Sequence, residues 1–430
     1  MAGQRRALSM PRAPGRIAAD GVRASAEALV AALRAPHVDH EIAESLTHPF
    51  HSYPARMHPA TARVLVELVG GGAGPGAPLV DPFCGSGTVL VEARAAGLPA
   101  VGVDLNPLAV LLARAKTWTA PAAHRKQLHR IGHEITGQVL AAGKAARRAQ
   151  VAGEPAPLRK PAGFDPNARN RRLARWFAPH VRRELELIAW HLDRLRAGDP
   201  EVADILTACL SAILYKVSSR ASDTDPTWVE RNVPRGAAAR HFAQRVELLT
   251  AGLHDLSRGA GPPPAVHELD ARRLGDVVPA GSAAGVITSP PYAGTYDYAE
   301  HQRLRFDFLA LRHRELDAGE IGARRSFEAD PGAGAAWHAA LATMLDAIAL
   351  ALVPGRAAAL VIGDSVARGR AIYALDEIRG ALTDELVIEA WASQHRPMLG
   401  GREHRAFGDR PKAEHIVLLR RRGANRAGSY

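Results

Sequence analysis

The segment LVDPFCGSGTVLVEA, residues 79–93, places two glycines between a short apolar run and a second apolar pattern. The run before Asp81 predicts a buried strand, and the spacing of apolar residues after Thr88 predicts a helix. Gly85 and Gly87 permit a tight turn and let a ligand approach the backbone, while the start of the helix offers free N–H groups. This strand, turn and helix predict a parallel α/β fold with a ligand site at the turn.

Six further short apolar runs, each bounded by Gly, Pro or Asp, predict the other strands. They read AVGVDLN, AVHELDA, GVITSPP, AAALVIGDS, ELVIEAWAS and HIVLLRR. Helical patterns lie between most of them, as in WHAALATMLDAIALALVPG at 337–355. Strands that alternate with helices predict a doubly wound, mostly parallel seven-stranded sheet that is covered on both faces.

A long interval separates the second and third predicted strands. About 160 residues lie there, far more than one helix and its loops require. Val181, Leu185 and Ile188 fall at helical spacing within this interval, so it predicts a helical insert. The chain then divides into a basic, disordered or loosely packed N-terminal arm (1–40), a first part of the α/β domain (41–120), the helical insert (121–262), a candidate DNA-contacting subdomain, and a second part of the α/β domain (263–423).

Two segments of the insert mix arginine with aromatic and hydroxyl side chains: RNRRLARWF at 169–177 and YKVSSRASDTDPTWVERNVPRG at 215–236. Arginine and hydroxyl groups bind phosphates, and Arg or Asn reads base edges, so these segments predict nucleic-acid contact. A solvated charged face is the alternative interpretation. The proline-rich stretch 152–176 predicts a mobile loop.

The overall charge also favours contact with nucleic acid. The net charge of +11 favours an acidic partner such as nucleic acid, although an arginine-rich composition is also typical of a GC-rich coding sequence. With only Cys84 and Cys209, no disulfide framework is expected. No apolar run reaches the roughly 18 residues of a membrane helix, and the basic N-terminus lacks the apolar core of a signal peptide. We therefore expect a cytoplasmic protein with no membrane partner.

The second strand ends at Asp104, where a carboxylate is suited to bind ribose hydroxyls. The turn at Gly85 and Gly87 is not a phosphate-binding loop, because no Gly-Lys-Ser/Thr follows it. It also lacks the three spaced glycines of the dinucleotide pattern. The turn and the acidic strand end together predict a nucleoside cofactor.

The motif DPFCGSGT at 81–88 resembles the S-adenosylmethionine-binding motif of class I amino-methyltransferases. HPFHSYPARMHPATARVLVELV, at 48–69, resembles the segment that precedes this loop in bacterial DNA amino-methyltransferases. The resemblance implies a class I, Rossmann-like methyltransferase fold with S-adenosylmethionine as cofactor. It assigns to the cofactor Tyr53, Pro54, Asp81, Pro82, Phe83, Cys84, Gly85, Ser86, Gly87, Thr88, Asp104, Asn106, Asp270 and Ala271.

The fourth predicted strand ends in Thr-Ser-Pro-Pro-Tyr, residues 288–292. The prolines lock φ and hold the preceding residue extended, so the Ser289 side chain and the Pro290 carbonyl form a rigid pair of acceptors. Such a pair suits the exocyclic amine of a nucleobase, and Tyr292 offers a flat face for stacking. We predict Ser289, Pro290, Pro291 and Tyr292 as the catalytic residues, place Tyr296, Asp297, Tyr298 and Arg303 near the mouth of the site, and predict no metal site.

Ser-Pro-Pro-Tyr resembles the motif of DNA cytosine-N4 methyltransferases. The resemblance implies a DNA methyltransferase that acts on a flipped-out base, with cytosine N4 as the first choice. An adenine-N6 DNA enzyme, an RNA amino-methyltransferase and a catalytically silent nucleic-acid-binding subunit remain alternatives. Cytosine-C5 chemistry is excluded because it needs a cysteine nucleophile, usually after proline, and neither cysteine follows one. DNA is the expected partner ahead of RNA; a cognate restriction nuclease and the oligomeric state are left open.

Overall fold

The structure is a computed structural model that describes residues 15–71, 76–152, 171–225, 227–259, 261–398, 400–408 and 410–423. Its strands are β1 (Ile17–Gly21), β2 (Leu79–Asp81), β3 (Ala100–Asp104), β4 (Ala265–Glu268), β5 (Gly285–Thr288), β6 (Ala357–Gly363), β7 (Ser365–Ala367), β8 (Arg370–Ile372), β9 (Leu386–His395) and β10 (Ala413–Arg421). Its helices are α1 (Arg23–Val38), α2 (Pro59–Gly70), α3 (Thr88–Ala95), α4 (Pro107–Lys116), α5 (Ala122–Val151), α6 (Pro179–Arg196), α7 (Pro200–Leu214), α8 (Ala237–Leu256), α9 (Tyr298–His301), α10 (Arg303–Leu309), α11 (Arg314–Gly319), α12 (Arg324–Ala329), α13 (Ala333–Ala351), α14 (Ala374–Ala381) and α15 (Gly401–Ala406).

One eight-stranded sheet organises the molecule, in the order β1-β9-β10-β6-β5-β2-β3-β4. Strands β4, β3, β2, β5 and β6 are parallel to one another, whereas β10 is antiparallel to both β6 and β9. The chain moves outward from β2 on one side through β3 and β4 and on the other through β5 and β6, which places a crevice at the carboxyl ends of β2 and β5. This is the doubly wound class I methyltransferase sheet, so the predicted fold class is confirmed.

Both faces of the sheet are buried, as the continuous apolar runs predict. Along β6, Ala359 and Val361 pack on one face together with α2 and α3, while Leu360 and Ile362 pack on the other with α13 and α14. Among the described helices, α13 is the one that is long and apolar enough to cross a membrane, but its buried side lies in this core. The helix is therefore explained as a core element of the α/β domain.

The N-terminal prediction is wrong for residues 15–40, which are neither disordered nor loosely packed. Strand β1 pairs antiparallel with β9 and adds an eighth strand at that edge of the sheet. Helix α1 then buries Leu29, Ala32 and Leu33 in the core. These residues recur at helical spacing within an otherwise basic and exposed segment, and the basic character obscured the pattern. Residues 1–14 of the predicted arm lie outside the described part of the chain.

Helices α5 to α8 form the insert between α4 and β4. Their core includes Leu185 and Leu206 and is continuous with Leu108 of α4 and Phe306 of α10. The insert therefore packs against the α/β domain over a shared apolar core. The helix expected around Val181 corresponds to α6. Residues 153–170 of the predicted mobile loop lie outside the described residues, whereas the prediction is wrong for 171–176, where Leu173 and Trp176 are buried in the core of the insert.

Candidate active site

An open cavity lies at the carboxyl ends of β2, β3 and β5. Its lining combines the glycine turn with the first residues of the Ser-Pro-Pro-Tyr motif. Of the predicted site residues, Gly87, Pro290 and Tyr292 lie outside this lining. Those that line it are Tyr53, Pro54, Asp81, Pro82, Phe83, Cys84, Gly85, Ser86, Thr88, Asp104, Asn106, Asp270, Ala271, Ser289 and Pro291.

The two turn glycines have different tasks. Both adopt left-handed backbone, with φ of +49° at Gly85 and +81° at Gly87. A Cβ on Gly87 would lie 3.0 Å from the Cα of Ala113 in α4, so this glycine allows two helices to approach each other. Gly85 faces the cavity, and its N–H donates to Asp104 Oδ2 at 2.8 Å. Gly87 therefore builds the turn, whereas Gly85 contributes to the site.

The Asp104 carboxylate links the turn to the next strand. Its Oδ1 accepts a hydrogen bond from the Asn106 N–H at 2.8 Å, and its Oδ2 accepts the one from Gly85. Burial raises the pKa of Asp104 to about 6, although the two backbone hydrogen bonds favour the ionised form. Each carboxylate oxygen has a second lone-pair site, so Asp104 retains acceptors for the hydroxyls of a ligand.

Asp81 connects the cofactor turn to the strand that carries the catalytic motif. Its Oδ1 accepts hydrogen bonds from Thr288 Oγ1 at 2.8 Å and from the Phe83 N–H at 3.2 Å. Burial raises the pKa of Asp81 to about 7 against the effect of both hydrogen bonds. Because Thr288 immediately precedes Ser289, Asp81 holds the two halves of the site in register.

The Ser-Pro-Pro-Tyr motif is fixed by three neighbours. Trp337 Nε1 donates to the Pro291 carbonyl at 3.1 Å, and the Tyr292 hydroxyl donates to Glu414 at 3.2 Å. The Tyr292 ring packs against Gly363, where an added Cβ would lie 2.8 Å from the ring. Burial raises the pKa of Tyr292 well above its ordinary value; the Glu414 charge acts in the same direction, and a hydrogen bond with the Ser289 side chain opposes it. The Tyr292 ring therefore packs against other residues of the protein and lies outside the cavity lining, so the structure does not present it as the expected stacking face for the base.

The segment around His48 and His51, which precedes the glycine turn, is held by polar contacts with α3 on one side and with the insert on the other. His48 Nε2 lies 2.6 Å from Glu92 Oε1, and His51 Nε2 lies 3.0 Å from Ser211 Oγ in α7. These contacts bring Tyr53 over the turn, where its hydroxyl accepts a hydrogen bond from Asn106 Nδ2 at 3.1 Å. The insert therefore helps to position one wall of the cavity.

Sequence reasoning missed part of the wall that follows the motif. Tyr298, expected near the mouth, lines the cavity together with Glu320, which was not predicted. Glu320 Oε1 accepts the Tyr298 N–H at 2.5 Å, and Oε2 pairs with Arg325 at 2.8 Å. No sequence motif marks Glu320, because its place depends on the fold of helices α9 to α12. Residues of the lining that were not assigned to the site are Ala55, Arg56, Met57, Val89, Leu105, Leu316, Gly319, Glu320 and Ile321.

Neither cysteine is placed as a nucleophile. Cys84 lies in the cofactor turn and Cys209 inside α7, and both side chains are buried. Burial raises the pKa of both thiols, so neither forms a thiolate readily. The site therefore lacks the group that cytosine-C5 methylation requires.

Comparison with known proteins connects this cavity to methyl transfer. A family described as "RMKL-like, methyltransferase domain" matches residues 49–156, which include the glycine turn and Asp104. Residues 49–156 match a methyltransferase domain. Class I methyltransferases use S-adenosylmethionine, and the prediction of this cofactor is confirmed. The cytosine-N4 assignment is not confirmed and stays a prediction.

Two characterised relatives match short segments of the chain. The type II methyltransferase M.MvaI of Kocuria varians is 46% identical over 74 residues, which is 17% of this chain and 16% of the relative. The tRNA (guanine(10)-N2)-dimethyltransferase of Methanothermobacter thermautotrophicus is 44% identical over 54 residues, 13% of this chain and 16% of the relative. The matched part thus spans about a sixth of each relative.

Solved structures give weak overall similarity. TrmN from Thermus thermophilus has a TM-score of 0.31 at 12% identity and covers 84% of this chain and 48% of its own. The rRNA methyltransferase aviRa from Streptomyces viridochromogenes has a TM-score of 0.31 at 14% identity, and the match covers 88% of this chain and 92% of aviRa. The fold assignment rests on the strand order and not on these scores.

Proposed function

We propose that this chain is an S-adenosylmethionine-dependent methyltransferase that modifies an exocyclic amino nitrogen of a nucleobase. The observation that carries the proposal is the shared cavity, in which Gly85 and Asp104 line the same space as Ser289. S-adenosylmethionine supplies an electrophilic methyl group when bound. The residues suited to hold it are the backbone around Gly85 and the carboxylates of Asp104 and Asp270, and their donor and acceptor groups fit a nucleoside with an amino-acid tail.

The chain positions the amine through acceptors that cannot rearrange. An exocyclic amine is conjugated with its ring, so its lone pair becomes available only when its hydrogens are held out of the ring plane. In this proposal Ser289 Oγ, which lines the cavity, and the Pro290 carbonyl, which lies just outside the lining, accept those hydrogens, and the proline rings fix their direction. Because Trp337 already donates to the Pro291 carbonyl, that carbonyl is committed to holding the motif.

Tyr292 has a positioning role in this proposal. Its hydroxyl donates to Glu414, which is itself paired with Arg396. Because Tyr292 directly follows the two prolines, this contact holds the end of the motif in place, and with it the backbone that carries Ser289.

RNA is the favoured substrate class. The RMKL-like domain and the tRNA methyltransferase relative support RNA over the DNA cytosine-N4 substrate expected from the motif alone. DNA is the second candidate because the 46% identical segment belongs to a type II methyltransferase and because the motif begins with serine. In both cases the base enters the cavity unpaired or flipped out.

The test is incubation of the purified chain with methyl-labelled S-adenosylmethionine and, separately, with RNA and DNA, followed by nucleoside mass spectrometry. We expect label on an exocyclic nitrogen of RNA nucleosides. Label on N4 of cytosine or N6 of adenine in DNA alone would establish the second candidate. Cofactor binding without transfer to either substrate would identify a silent nucleic-acid-binding subunit and contradict the proposal. A partner nuclease and the cytoplasmic location stay predictions.

A further inference from the structure

A cluster of metal-ligating side chains lies on the insert, in helices α5 and α8, outside the lining of the active-site cavity. It comprises His129 and His133, one turn apart on α5, and Glu247 on α8. One ligand atom from each residue lies within 4.8 Å of the other two. No residue of the cluster has a part in the proposed methyl transfer.

The two helices approach unusually closely at this point. A Cβ on Gly132 would lie 2.8 Å from the side chain of Val246, so only glycine permits the contact. Further along, a Cβ on Gly236 would meet Leu140 at 2.8 Å, which shows that the helices run antiparallel. Gly132 precedes His133 and Val246 precedes Glu247, so the close approach brings these two ligands together.

The separation of two of the ligand atoms is close to that of neighbouring ligands around a bound cation. His133 Nε2 lies 3.2 Å from Glu247 Oε1, yet it is shielded from solvent and makes no hydrogen bond of good geometry. Metal–ligand bonds of about 2.0–2.2 Å in a tetrahedral site separate neighbouring ligands by about 3.3–3.6 Å. The His129 ring lies 4.3 Å from the His133 ring, centroid to centroid, and one His129 nitrogen lies within 4.8 Å of the ligand atoms of the other two residues.

The ligand types select the metal. Two imidazoles and one carboxylate favour Zn²⁺ and its d-block neighbours, whereas Mg²⁺ and Ca²⁺ prefer oxygen ligands. His129 and Glu247 are exposed, so water has access to a fourth coordination position.

We propose that His129, His133 and Glu247 form a binding site for a divalent transition metal, with Zn²⁺ as the best match and water as the fourth ligand. The metal joins α5 to α8 across about 110 residues of chain. It therefore acts as a structural link that holds the insert together, and the proposal does not depend on the proposed enzymatic activity.

The experiment uses the full, tag-free chain, treated with chelator and exchanged into buffer near pH 7.5. Titration with ZnCl₂ by calorimetry should show one site per chain, and CoCl₂ should give the visible absorption of four-coordinate cobalt. His133→Ala should weaken Zn²⁺ binding at least about tenfold, and Glu247→Gln should weaken it less. His254→Ala, an exposed histidine on the same helix as Glu247, should bind as the unchanged protein does.

Circular dichroism on each variant shows whether the chain is folded. Should His133→Ala fail to fold, His129→Ala provides the same test, because the His129 side chain is exposed. Saturating Zn²⁺ should also raise the midpoint of thermal unfolding in the unchanged protein and not in the variant. Absence of Zn²⁺ binding in the unchanged chain, or equal binding by the unchanged protein and both histidine variants, would overturn the proposal.

Discussion

The cavity and the insert place their side chains by different means. Around the cavity, Asp81, Asp104 and Ser289 all lie at or just beyond the carboxyl ends of parallel strands, so the backbone of the sheet determines their positions. In the insert, positions depend on how α5 to α8 pack through apolar side chains spread along each helix. The first arrangement can be derived from local motifs, whereas the second requires the folded structure.

The two regions also differ in their electrostatics. The cavity contains buried carboxyls, and burial raises the pKa of Asp81 to about 7 and that of Asp104 to about 6. The insert presents arginine against aromatic rings: the Arg220 guanidinium lies 4.4 Å from the ring centroid of Trp228, which is 46% exposed. The cavity is suited to hold a small cofactor, and the insert surface is suited to contact a polyanion.

The largest effect is expected at the catalytic motif. Ser289→Ala removes one of the two acceptors for the substrate amine and should lower the methyl-transfer rate by about a hundredfold or more. The measurement is the single-turnover rate of methyl transfer, with labelled cofactor and the nucleic acid that the labelling experiment identifies as the substrate. Binding of S-adenosylmethionine and the thermal midpoint should change little.

Ser282→Ala is the matched control for this variant. Ser282 lies in the turn before β5, and its hydroxyl donates to the Pro279 carbonyl at 2.7 Å, away from the cavity. Its methyl-transfer rate should equal that of the unchanged protein. A Ser289→Ala variant with full activity would show that the motif positions the amine through the Pro290 carbonyl alone or acts elsewhere.

A smaller loss is expected when Asp104, the carboxylate that we predict binds the ribose, is neutralised. Asp104→Asn keeps the shape of the side chain but removes its charge and replaces one of the two oxygens that accept the Gly85 and Asn106 N–H groups by an NH₂ donor. The affinity for S-adenosylmethionine should therefore fall about tenfold to a hundredfold. Isothermal calorimetry measures the dissociation constant. Asp276→Asn, an exposed aspartate paired with Arg273, serves as the control and should leave the affinity unchanged.

The same residue predicts a pH dependence. The ionised carboxylate binds hydroxyls best, so the affinity of the unchanged protein should rise between pH 5 and 7 as Asp104 loses its proton near its pKa of about 6. The unliganded protein should become less stable as pH rises from 3.8 to about 6, because the native carboxyl holds its proton more tightly than the unfolded chain. Asp104→Asn should flatten the affinity trend and reduce the stability trend, part of which remains because burial also raises the pKa of Asp81 to about 7. A variant with the affinity profile of the unchanged protein would refute the assignment.

Much of the cavity could be predicted because its residues follow strands directly. The short apolar run before Asp81 predicts a strand end, and parallel strands bring their carboxyl ends to one edge of the sheet. That rule alone places Asp104 and Ser289 near the glycine turn. The resemblance adds the lead-in segment around Tyr53, whose position the local pattern does not determine.

The residues that escaped prediction are those whose position depends on distant packing. Glu320 reaches the cavity because short helices α9 to α12 fold back over the motif, and no periodic pattern marks those helices. Strand β1 has only five residues and four of them are exposed, so its sequence lacks the apolar run that identifies a buried strand. Both features depend on partners far away in the chain, which a local window cannot detect.

A substitution on the surface of the insert should have an intermediate effect, smaller than that of Ser289→Ala, and should change nucleic-acid binding alone. Trp228→Ala removes an exposed aromatic ring and the surface on which Arg220 rests, and should weaken binding of single-stranded RNA by about fivefold to thirtyfold. Fluorescence anisotropy at fixed salt measures the dissociation constant. Cofactor affinity should not change, because Trp228 lies outside the cavity lining.

Arg194→Ala provides a matched control for this surface, because Arg194 also rests on a tryptophan, with its guanidinium 4.9 Å from the Trp190 ring centroid. This variant should bind RNA almost as the unchanged chain does. Equal losses in the two variants would show that the effect of Trp228→Ala is not specific to a contact at Trp228.

The smallest effects are expected for two glycine-to-alanine substitutions, one in each region, which should change the free energy of unfolding in opposite directions. Gly87→Ala forces a side chain onto left-handed backbone and against Ala113, so it should lower the free energy of unfolding by about 1–3 kcal/mol. Gly137 lies in the exposed helix α5 with no atom within 4 Å of an added Cβ. Gly137→Ala should therefore raise the free energy of unfolding by about 0.5–1 kcal/mol, because alanine loses less backbone freedom on folding. Urea unfolding of both variants measures the difference, and a loss of stability in Gly137→Ala would show that α5 is not a regular exposed helix at this position.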